Sequence, residues 1–330
     1  MEPLGWALVG TSGFAESTFA PAIRRSTRAR LVGAVGSCVQ RSREVASRHG
    51  APSAFASLEA LARDPGVQAV WVATPNHLHA PMAMELMRAG KHVLVEKPMA
   101  IRVEDARAML ETSRREGVRL KVGYHHRFRP LHQAMRERVA AGAVGRVGEV
   151  RVHFFAPYDA PPPAWRQDPA TSGGWAINDV GTHLIDLMLW ISGLPARVVG
   201  AGLRSQRFGL PTDDTATVLF ALGDCAVGVM ETSTALPSPS SRIEVYGDRG
   251  WLRADDTLGG GGTLEGTGLA PMAAEPHDPF VTEVDDFCAA VAGLASQGAE
   301  GPVCVDNVDL IQTARAMDAS LAQAMGGSGR

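Results

Sequence analysis

Residues 9–15 read Val9-Gly10-Thr11-Ser12-Gly13-Phe14-Ala15, and this stretch decides how the N-terminal half folds. It follows an apolar run typical of a buried strand, Leu4–Val9, and precedes a helical stretch near Ala15–Ser26. A dinucleotide-binding turn needs small residues where the chain reverses, where the backbone meets the pyrophosphate and where the helix packs on the strand. Gly10, Ser12 and Ala15 occupy those positions, so free N–H groups and the helix dipole would face phosphates. A tight glycine turn without a ligand is the alternative, and the position at the first strand–helix junction favours the nucleotide.

Outward from this turn, short apolar strands alternate with helices as far as Gly123. The predicted strands are Leu4–Val9, Arg30–Val35, Ala69–Ala73, His92–Glu96 and Leu120–Gly123. Their nearly continuous apolar character is typical of strands that are covered on both faces. Because each strand is followed by a helix, we predict a doubly wound parallel sheet, and therefore an α/β fold.

After Tyr124 the pattern changes to consecutive strands. They are predicted at Val147–Phe155, Arg197–Leu203, Thr215–Ala221, Ala226–Thr232, Arg242–Tyr246 and Trp251–Arg253, with a loop or hairpin tip at Gly259–Gly262. Helices are predicted near Ile177–Ile191, Phe280–Ala295 and Asn307–Ala324. Runs of strands without intervening helices indicate an α+β domain with an open, mostly antiparallel sheet that carries helices on one face.

Composition excludes several classes of protein. The 330 residues are 45% hydrophobic and 20% charged, which is typical of a globular chain of about two domains. A net charge of −3 does not call for a nucleic-acid partner, and no apolar window approaches the roughly 20 residues of a membrane span. The four cysteines have no metal-binding spacing and no secretory leader is evident, so we expect a cytoplasmic protein without a membrane partner.

The end of the second predicted strand bears on the choice between NAD and NADP. A carboxylate there would bind the ribose hydroxyls of NAD, but none occurs before Glu44. Ser37 can instead donate to a 2′-phosphate and Arg41 can neutralise it. A solvated helix face is the alternative for the arginine. The sequence favours NADP(H) and leaves NAD(H) possible.

Two further motifs carry groups for proton chemistry. Lys97, within Glu96-Lys97-Pro98, follows a parallel strand, where open α/β sheets bind ligands and where a lysine can polarise a carbonyl oxygen. Asp179 and His183 are four residues apart, so on a helix the carboxylate could orient the ring of a general acid–base. A surface Glu–Lys pair and a histidine that stabilises its helix are the alternatives. We predict no metal site, since no third ligand is evident.

Together the motifs resemble the Gfo/Idh/MocA family of oxidoreductases across nearly the whole chain. They include Gly173-Gly174 followed by Asp179 and His183, and also Gly90–Val93, Tyr124–Pro130, Trp165-Arg166 and Asp213–Thr215. The resemblance implies a Rossmann dinucleotide-binding domain over residues 1–123 and a domain for substrate binding and oligomerisation over residues 124–330. It implies hydride transfer between nicotinamide C4 and a secondary alcohol or ketone of a sugar, anhydrosugar or cyclitol. It also implies a homodimer or homotetramer, because the open sheet often forms the oligomer interface.

The resemblance also assigns roles to residues. Lys97 would polarise the reacting oxygen, His183 would donate or accept the proton, and Asp179 would orient His183. The implied cofactor-binding residues are Gly10, Thr11, Ser12, Gly13, Phe14, Ala15, Ser37, Arg41, Thr74, Asn76, His79, Glu96 and Arg166. The implied substrate-binding residues are Tyr124, His126, Tyr158, Asp159 and Trp165.

Two details refine the resemblance. Ser12, Ser37 with Arg41, and the pair His125-His126 resemble the NADP(H)-dependent 1,5-anhydrofructose reductases, which points towards reduction. Trp175 stands where members commonly keep a third glycine, so we expect a narrowed pocket mouth or a stacking platform there.

Two other functions compete with hydride transfer to an external substrate. One is glycoside cleavage with a bound, recycled nicotinamide, which would release a leaving group without a net change in nicotinamide absorbance. The other is a non-catalytic, nucleotide-dependent sensor. The combination of Lys97, Asp179 and His183 argues against the sensor, which would not need all of them.

Overall fold

A computed structural model of the chain describes residues 2–238 and 240–327. The strands follow one another as β1 (Leu4–Val9), β2 (Ala29–Val35), β3 (Ser53–Ala54), β4 (Ala69–Val72), β5 (His92–Val95), β6 (Leu120–Val122), β7 (Val147–Phe155), β8 (Ala196–Arg204), β9 (Thr215–Leu222), β10 (Ala226–Ser233), β11 (Arg242–Gly247), β12 (Gly250–Asp255), β13 (Thr263–Gly266) and β14 (Leu269–Ala273).

The α-helices are α1 (Ala20–Arg25), α2 (Val39–Arg48), α3 (Leu58–Arg63), α4 (Asn76–Arg88), α5 (Val103–Glu116), α6 (Pro130–Ala140), α7 (Ala164–Gln167), α8 (Pro169–Ser172), α9 (Thr182–Ser192), α10 (Pro279–Val291) and α11 (Pro302–Gly327). Two segments are π-helical, Ala15–Phe19 and Ile177–Gly181, and two are 3₁₀-helical, His125–Phe128 and Thr257–Gly259. Within the described ranges, no helix combines the length and apolar character that a membrane crossing requires.

The first of two compact units contains the chain up to Phe128 together with Asp278–Val305. Its six strands form one parallel sheet in the order β3-β2-β1-β4-β5-β6, which confirms the predicted doubly wound fold. The five predicted strands lie within one residue of the observed ones. The prediction missed β3, because a strand of two residues has too little apolar pattern to be recognised.

The core beneath the nucleotide turn is aromatic. Phe19 stacks on Trp71 with 3.9 Å between ring centroids, and Phe287 of α10 meets Trp6 edge-on at 4.9 Å. Phe287 is fully buried, so burial of its ring holds α10 in the first unit although α10 follows the other unit's strands in sequence. The packing units are therefore not two continuous halves of the chain that meet at Gly123. The predicted boundary between functional domains after Gly123 stays a prediction.

The second unit contains Arg129–His277 and residues 306–327. Its eight strands form one sheet in the order β14-β13-β12-β11-β7-β10-β9-β8. Among the described strands of this second sheet only β7 and β10 pair in parallel, so the mostly antiparallel sheet is confirmed. Helices α6 and α9 pack on one face, and the other face carries exposed apolar side chains at Val199, Leu219, Val227, Tyr246 and Trp251.

Two local features of the second unit differ from prediction. Strands β13 and β14 were missed, since Gly266 in β13 and Pro271 in β14 interrupt the alternation that marks a strand. The continuous helix predicted near Ile177–Ile191 is instead a π-helical turn followed by α9. Such turns often occur at functional sites, and this one carries Asp179.

Candidate active site

The carboxyl ends of the parallel strands in the first unit meet along one edge of the sheet. Gly10 N–H donates to Val35 O at 2.9 Å, Ala73 N–H donates to Val9 O at 2.7 Å, and Glu96 N–H donates to Val72 O at 2.8 Å. These bonds bring the turn after β1, the loop after β4 and the loop after β5 side by side. Strand order reverses between β1 and β4, so this edge is the switch point where open α/β sheets bind ligands.

The turn after β1 is tight at Gly10 and open at Gly13. Gly10 has φ of +106°, and a Cβ there would collide with the carbonyl oxygen of Ala73. Gly13 faces open space, with no atom within 4 Å of the position that its Cβ would take. The N–H groups of Gly13 and Phe14 lie ahead of the first intrahelical bond, in which Glu16 N–H donates to Ser12 O at 2.9 Å. This cradle of backbone donors fits the phosphates of a dinucleotide.

Ser12 has a second role that the sequence pattern did not reveal. Its hydroxyl accepts a hydrogen bond from Ala15 N–H at 3.1 Å, so the side chain caps the helix start. The serine thereby fixes the direction of the turn's other N–H groups. A direct contact between Ser12 and a phosphate stays a prediction.

The end of β2 brings Thr11, Ser37 and Arg41 to one place. Arg41 donates from Nη2 to Thr11 O at 2.8 Å, and a Cβ at Gly36 would collide with the Thr11 side chain. Ser37 is exposed on the loop that follows Gly36. Because the adenosine ribose of a dinucleotide lies beside this strand end, these residues fit the ribose and a 2′-phosphate on it.

The sequence prediction missed the acidic partners of Arg41. Glu44 accepts a hydrogen bond from Arg41 Nη1 at 3.0 Å, and Glu16 Oε2 lies 3.5 Å from Arg41 Nη2. The hydrogen bonds from Gln40 and Arg41 lower the pKa of Glu44 below its usual value. Glu16 has no sequence signal except its place directly after the turn.

His79 links the loops after β4 and β5. Its ring is 1% exposed, with Nδ1 2.8 Å from Pro98 O and Nε2 2.9 Å from Thr74 O. Burial lowers the pKa of His79 to about 4. The contacts with the two carbonyl oxygens raise the pKa, but the effect of burial is larger. The neutral ring has one N–H and donates to one of these carbonyls. The histidine therefore braces the two loops, and its predicted contact with a nucleotide stays a prediction.

Lys97 follows β5 on the same edge and is half-buried. Its neighbour Glu96 accepts a hydrogen bond from Trp71 Nε1 at 3.1 Å, and a Cβ at Gly123 would lie 2.7 Å from Glu96 Oε1. These contacts fix the backbone from which Lys97 extends. The Lys97–Pro98 peptide bond is cis. Asn76, the first residue of α4, is buried at the neighbouring strand end.

Strand β6, next to β5, is followed by two of the predicted substrate residues. Tyr124 and His126 are both buried, and the ring of His125 between them stacks on Phe280 with 4.3 Å between centroids. The structure thus brings both residues to the strand end beside Lys97's strand. Their contact with a substrate stays a prediction.

In the second unit, a buried carboxylate holds the start of the segment that carries Asp179. Asp213 accepts hydrogen bonds from Trp175 N–H at 3.0 Å and from Ile177 N–H at 2.7 Å. Gly174 has φ of +129°, and a Cβ there would lie 2.8 Å from Asp213 Oδ1. Burial raises the pKa of Asp213, while the two N–H donors and the charge of Arg315 oppose the rise. The sequence analysis included Asp213 in a family motif but did not predict that its carboxylate accepts these hydrogen bonds.

Asp179 is the centre of a polar cluster. Its Oδ1 lies 3.1 Å from Arg166 Nη2, and its Oδ2 accepts a hydrogen bond from the Tyr158 hydroxyl at 3.3 Å. The charge of Asp179, followed by burial, raises the pKa of Tyr158 to about 12. The Arg166 guanidinium also lies 4.7 Å from the centre of the Trp165 ring. The structure therefore joins predicted cofactor, substrate and catalytic residues in one group.

Three other predicted residues lie in or next to the segments that form this cluster. His183 lies in the first turn of α9 and is buried, four residues after Asp179. Trp175 is 0% exposed and lies beneath Tyr158 and Phe208, at 5.6 and 5.7 Å between centroids, so it supports Tyr158 and does not line an open mouth. Asp159 is exposed beside Tyr158. Contact of Arg166 with a nucleotide and of Asp159 with a substrate stay predictions.

Comparison with known proteins identifies the family. Residues 4–124 match a model described as an oxidoreductase family with an NAD-binding Rossmann fold, and residues 132–253 match the GFO/IDH/MocA C-terminal domain. The chain belongs to the Gfo/Idh/MocA family of oxidoreductases. It is therefore an enzyme of redox chemistry, as the resemblance implied.

Curated members of the family act on sugars and cyclitols. The chain is 31% identical to 1,5-anhydro-D-fructose reductase from Ensifer adhaerens, over 90% of each chain. It is 30% identical to myo-inositol 2-dehydrogenase from Thermotoga maritima, over 66% of this chain and 65% of the relative.

Solved structures share the whole fold. An aldose–aldose oxidoreductase from Caulobacter crescentus, in complex with glycerol, has a TM-score of 0.87 at 25% identity and covers 97% of this chain and 98% of its own. GenD2 from gentamicin A biosynthesis, in complex with NAD, matches with a TM-score of 0.84 at 28% identity. That alignment covers 97% of this chain and 95% of the GenD2 chain. Both comparisons extend through the two units.

Proposed function

We propose that this oxidoreductase transfers a hydride between nicotinamide C4 and a secondary alcohol or ketone of a sugar, anhydrosugar or cyclitol. The observation that carries the proposal is the sheet edge on which the Gly10 turn, the Thr74 loop and Lys97 lie side by side. Nucleotide-binding and substrate-polarising groups thus share one edge of one rigid sheet. The printed activities of the two curated relatives support the substrate class.

Lys97 and His183 are proposed to divide the work at the reacting oxygen. A bound nicotinamide supplies or accepts the hydride at C4. In reduction, the Lys97 ammonium group donates hydrogen bonds to the carbonyl oxygen and stabilises the negative charge that develops there. His183 gives this oxygen its proton, and in oxidation it takes the proton from the hydroxyl.

Asp179 is proposed to orient His183 and to stabilise its charged form. Arg166 contacts one oxygen of the Asp179 carboxylate and Tyr158 donates weakly to the other, which favours one orientation of the carboxylate before a substrate arrives. Remaining polar contacts to the substrate are proposed for Tyr124, His126, Tyr158, Asp159 and Trp165, since a polyol needs hydrogen-bonding partners and its apolar face packs on aromatic rings.

NADP(H) is the proposed preferred cofactor. Ser37 and Arg41 at the end of β2 offer a hydroxyl and a guanidinium to a 2′-phosphate. No acidic residue lies between Val35, at the end of β2, and Glu44, so the usual partner of the NAD ribose is missing from this segment. Titration of the protein with NADPH and NADH tests this proposal. Tighter binding of NADH would contradict the assignment of Ser37 and Arg41.

The catalytic roles are tested by turnover of a panel of cyclic ketones and polyols. Lys97→Met and His183→Ala should each lower turnover about 10²–10⁴-fold, the contribution expected of a positioned acid–base group. Wild-type turnover in both variants would refute the mechanism. Release of a leaving group without a net change in nicotinamide absorbance would instead favour glycoside cleavage.

A second copy of the chain is the proposed partner of the outer sheet face of the second unit. That face exposes apolar side chains on neighbouring strands, among them Leu219 on β9 and Val227 on β10. Contiguous exposed apolar patches mark interaction sites on globular proteins. We propose a homodimer or homotetramer. Sedimentation of the protein as a monomer at micromolar concentration would refute it.

A further inference from the structure

We propose that Glu16 tunes the cofactor preference of the site, acting as an internal anion that competes with a 2′-phosphate for Arg41. The inference deepens the proposed function and rests on nucleotide binding at the Gly10 turn. It makes Glu16 a specificity-determining residue that the family pattern of glycines and strand-end residues does not include.

Glu16 lies directly after the Gly10 turn, next to two arginines and a histidine. Its side chain is 11% exposed, and its carboxylate pairs with the Arg48 guanidinium. Oε2 lies 3.5 Å from Arg41 Nη2, and Oε1 lies 3.7 Å from His49 Nε2. Solvent screens a carboxylate at this depth weakly, so its charge acts strongly on its neighbours.

The position of Arg41 connects this cluster to the ribose. Arg41 donates to Thr11 O in the turn, and its Cβ would lie 3.2 Å from a Cβ added at Gly36, at the end of β2. The guanidinium therefore stands between the turn and the strand end, where a dinucleotide carries its adenosine ribose. A 2′-phosphate would reach the same guanidinium that Glu16 already approaches.

The charges in the cluster are balanced without a nucleotide. The ion pairs link two arginines, Arg41 and Arg48, with two carboxylates, Glu16 and Glu44. A 2′-phosphate adds a charge of about −1.5 to −2, so it meets no net positive charge there. Neutralising Glu16 leaves one uncompensated cation next to the phosphate. Glu44 is 37% exposed at its side chain, so neutralising it should have a smaller effect.

The competing explanation is that Glu16 serves the phosphate by holding Arg41 in place. The two explanations predict opposite signs. If Glu16 competes, loss of its charge strengthens binding of a 2′-phosphorylated ligand. If Glu16 only positions Arg41, loss of its charge weakens that binding, because the guanidinium becomes less ordered.

The test is calorimetric titration of the full chain with adenosine 2′,5′-bisphosphate and with adenosine 5′-monophosphate, which differ only in the 2′-phosphate. Glu16→Gln keeps the size of the side chain and removes the charge. We expect it to tighten binding of the bisphosphate about tenfold and to leave the monophosphate nearly unchanged. Raising the salt concentration should shrink the gain.

Arg48→Gln gives an independent variant with the opposite expected sign. It removes a partner of Glu16, leaves more negative charge at the site, and should weaken binding of the bisphosphate. Arg48 is exposed, so this variant should fold even if Glu16→Gln does not. Glu59→Gln is the matched control, because Glu59 is an exposed carboxylate of the same unit that pairs with Arg63.

Failure of the inference and failure of the proposed cofactor preference give different results. The relevant quantity is the affinity for the bisphosphate divided by the affinity for the monophosphate. Its value in the wild-type protein tests the cofactor preference. Its change in Glu16→Gln tests the inference. A ratio that is unchanged or lowered in Glu16→Gln would overturn the inference while leaving the wild-type preference as measured. Binding of neither ligand to any variant would overturn both.

Discussion

The brace formed by His79 leads to a pH prediction whose size follows from the structure. In the folded protein, burial lowers the pKa of His79 from 6.5 to about 4, whereas the unfolded chain keeps the ordinary value. As the pH falls below 6.5, His79 becomes protonated in the unfolded state but stays neutral in the folded state until the pH approaches 4. The stabilising contribution of His79 is thus complete above pH 6.5 and is lost as the pH falls towards 4.

The expected magnitude is about 3 kcal/mol, from a difference of roughly 2.5 pKa units at about 1.36 kcal/mol each. Urea unfolding at several pH values between 7 and 4, followed by tryptophan fluorescence, measures it. The matched variant is His79→Gln, whose amide can donate to one carbonyl and does not titrate. The free energy of unfolding should fall less steeply with acid in His79→Gln than in the wild-type protein, by that amount. Equal acid dependence in both proteins would refute the reasoning.

Three other residues give predictions of different kinds. Gly10→Ala should abolish nucleotide binding and lower the melting temperature, because its Cβ collides with Ala73 O at a φ of +106°; binding equal to wild type would contradict the turn's role. Asp213→Ala should lower the free energy of unfolding in urea by about 3–5 kcal/mol, since two buried N–H donors lose their acceptor and Arg315 loses the attraction of a negative charge; Asp224→Ala, at an exposed site, is the control. Tyr158→Phe should lower the free energy of unfolding by less than about 1 kcal/mol, because the hydrogen bond to Asp179 is long and exposed. The same variant should lower turnover. Unchanged turnover would contradict a role of Tyr158 in the active site.

The sequence was sufficient for features that depend on local pattern. Strand–helix alternation predicted the parallel sheet, and strand ends predicted which edge carries Gly10, Thr74 and Lys97. The position of a residue after a parallel strand is enough for such a prediction, because all carboxyl ends meet on one edge.

Features that depend on distant contacts could not be predicted in this way. The periodicity of α10 predicts a helix but does not say that Phe287 packs on Trp6 in the first unit. The residue type of Glu16 or Asp213 does not reveal whether the carboxylate is buried among partners or exposed to solvent. The π-helical turn before His183 likewise follows from packing, since its residues fit a regular helix equally well.

Transfer of deuterium from nicotinamide C4 tests the central claim most directly. The protein is incubated with NADPH that carries deuterium at C4 and with a panel of cyclic ketoses and anhydroketoses, and the products are analysed by mass spectrometry. The account predicts that deuterium appears on the carbon of the new alcohol, and that Lys97→Met forms this product about 10²–10⁴-fold more slowly. Absence of deuterium from every product, or equal rates in Lys97→Met and wild type, would contradict hydride transfer at this site.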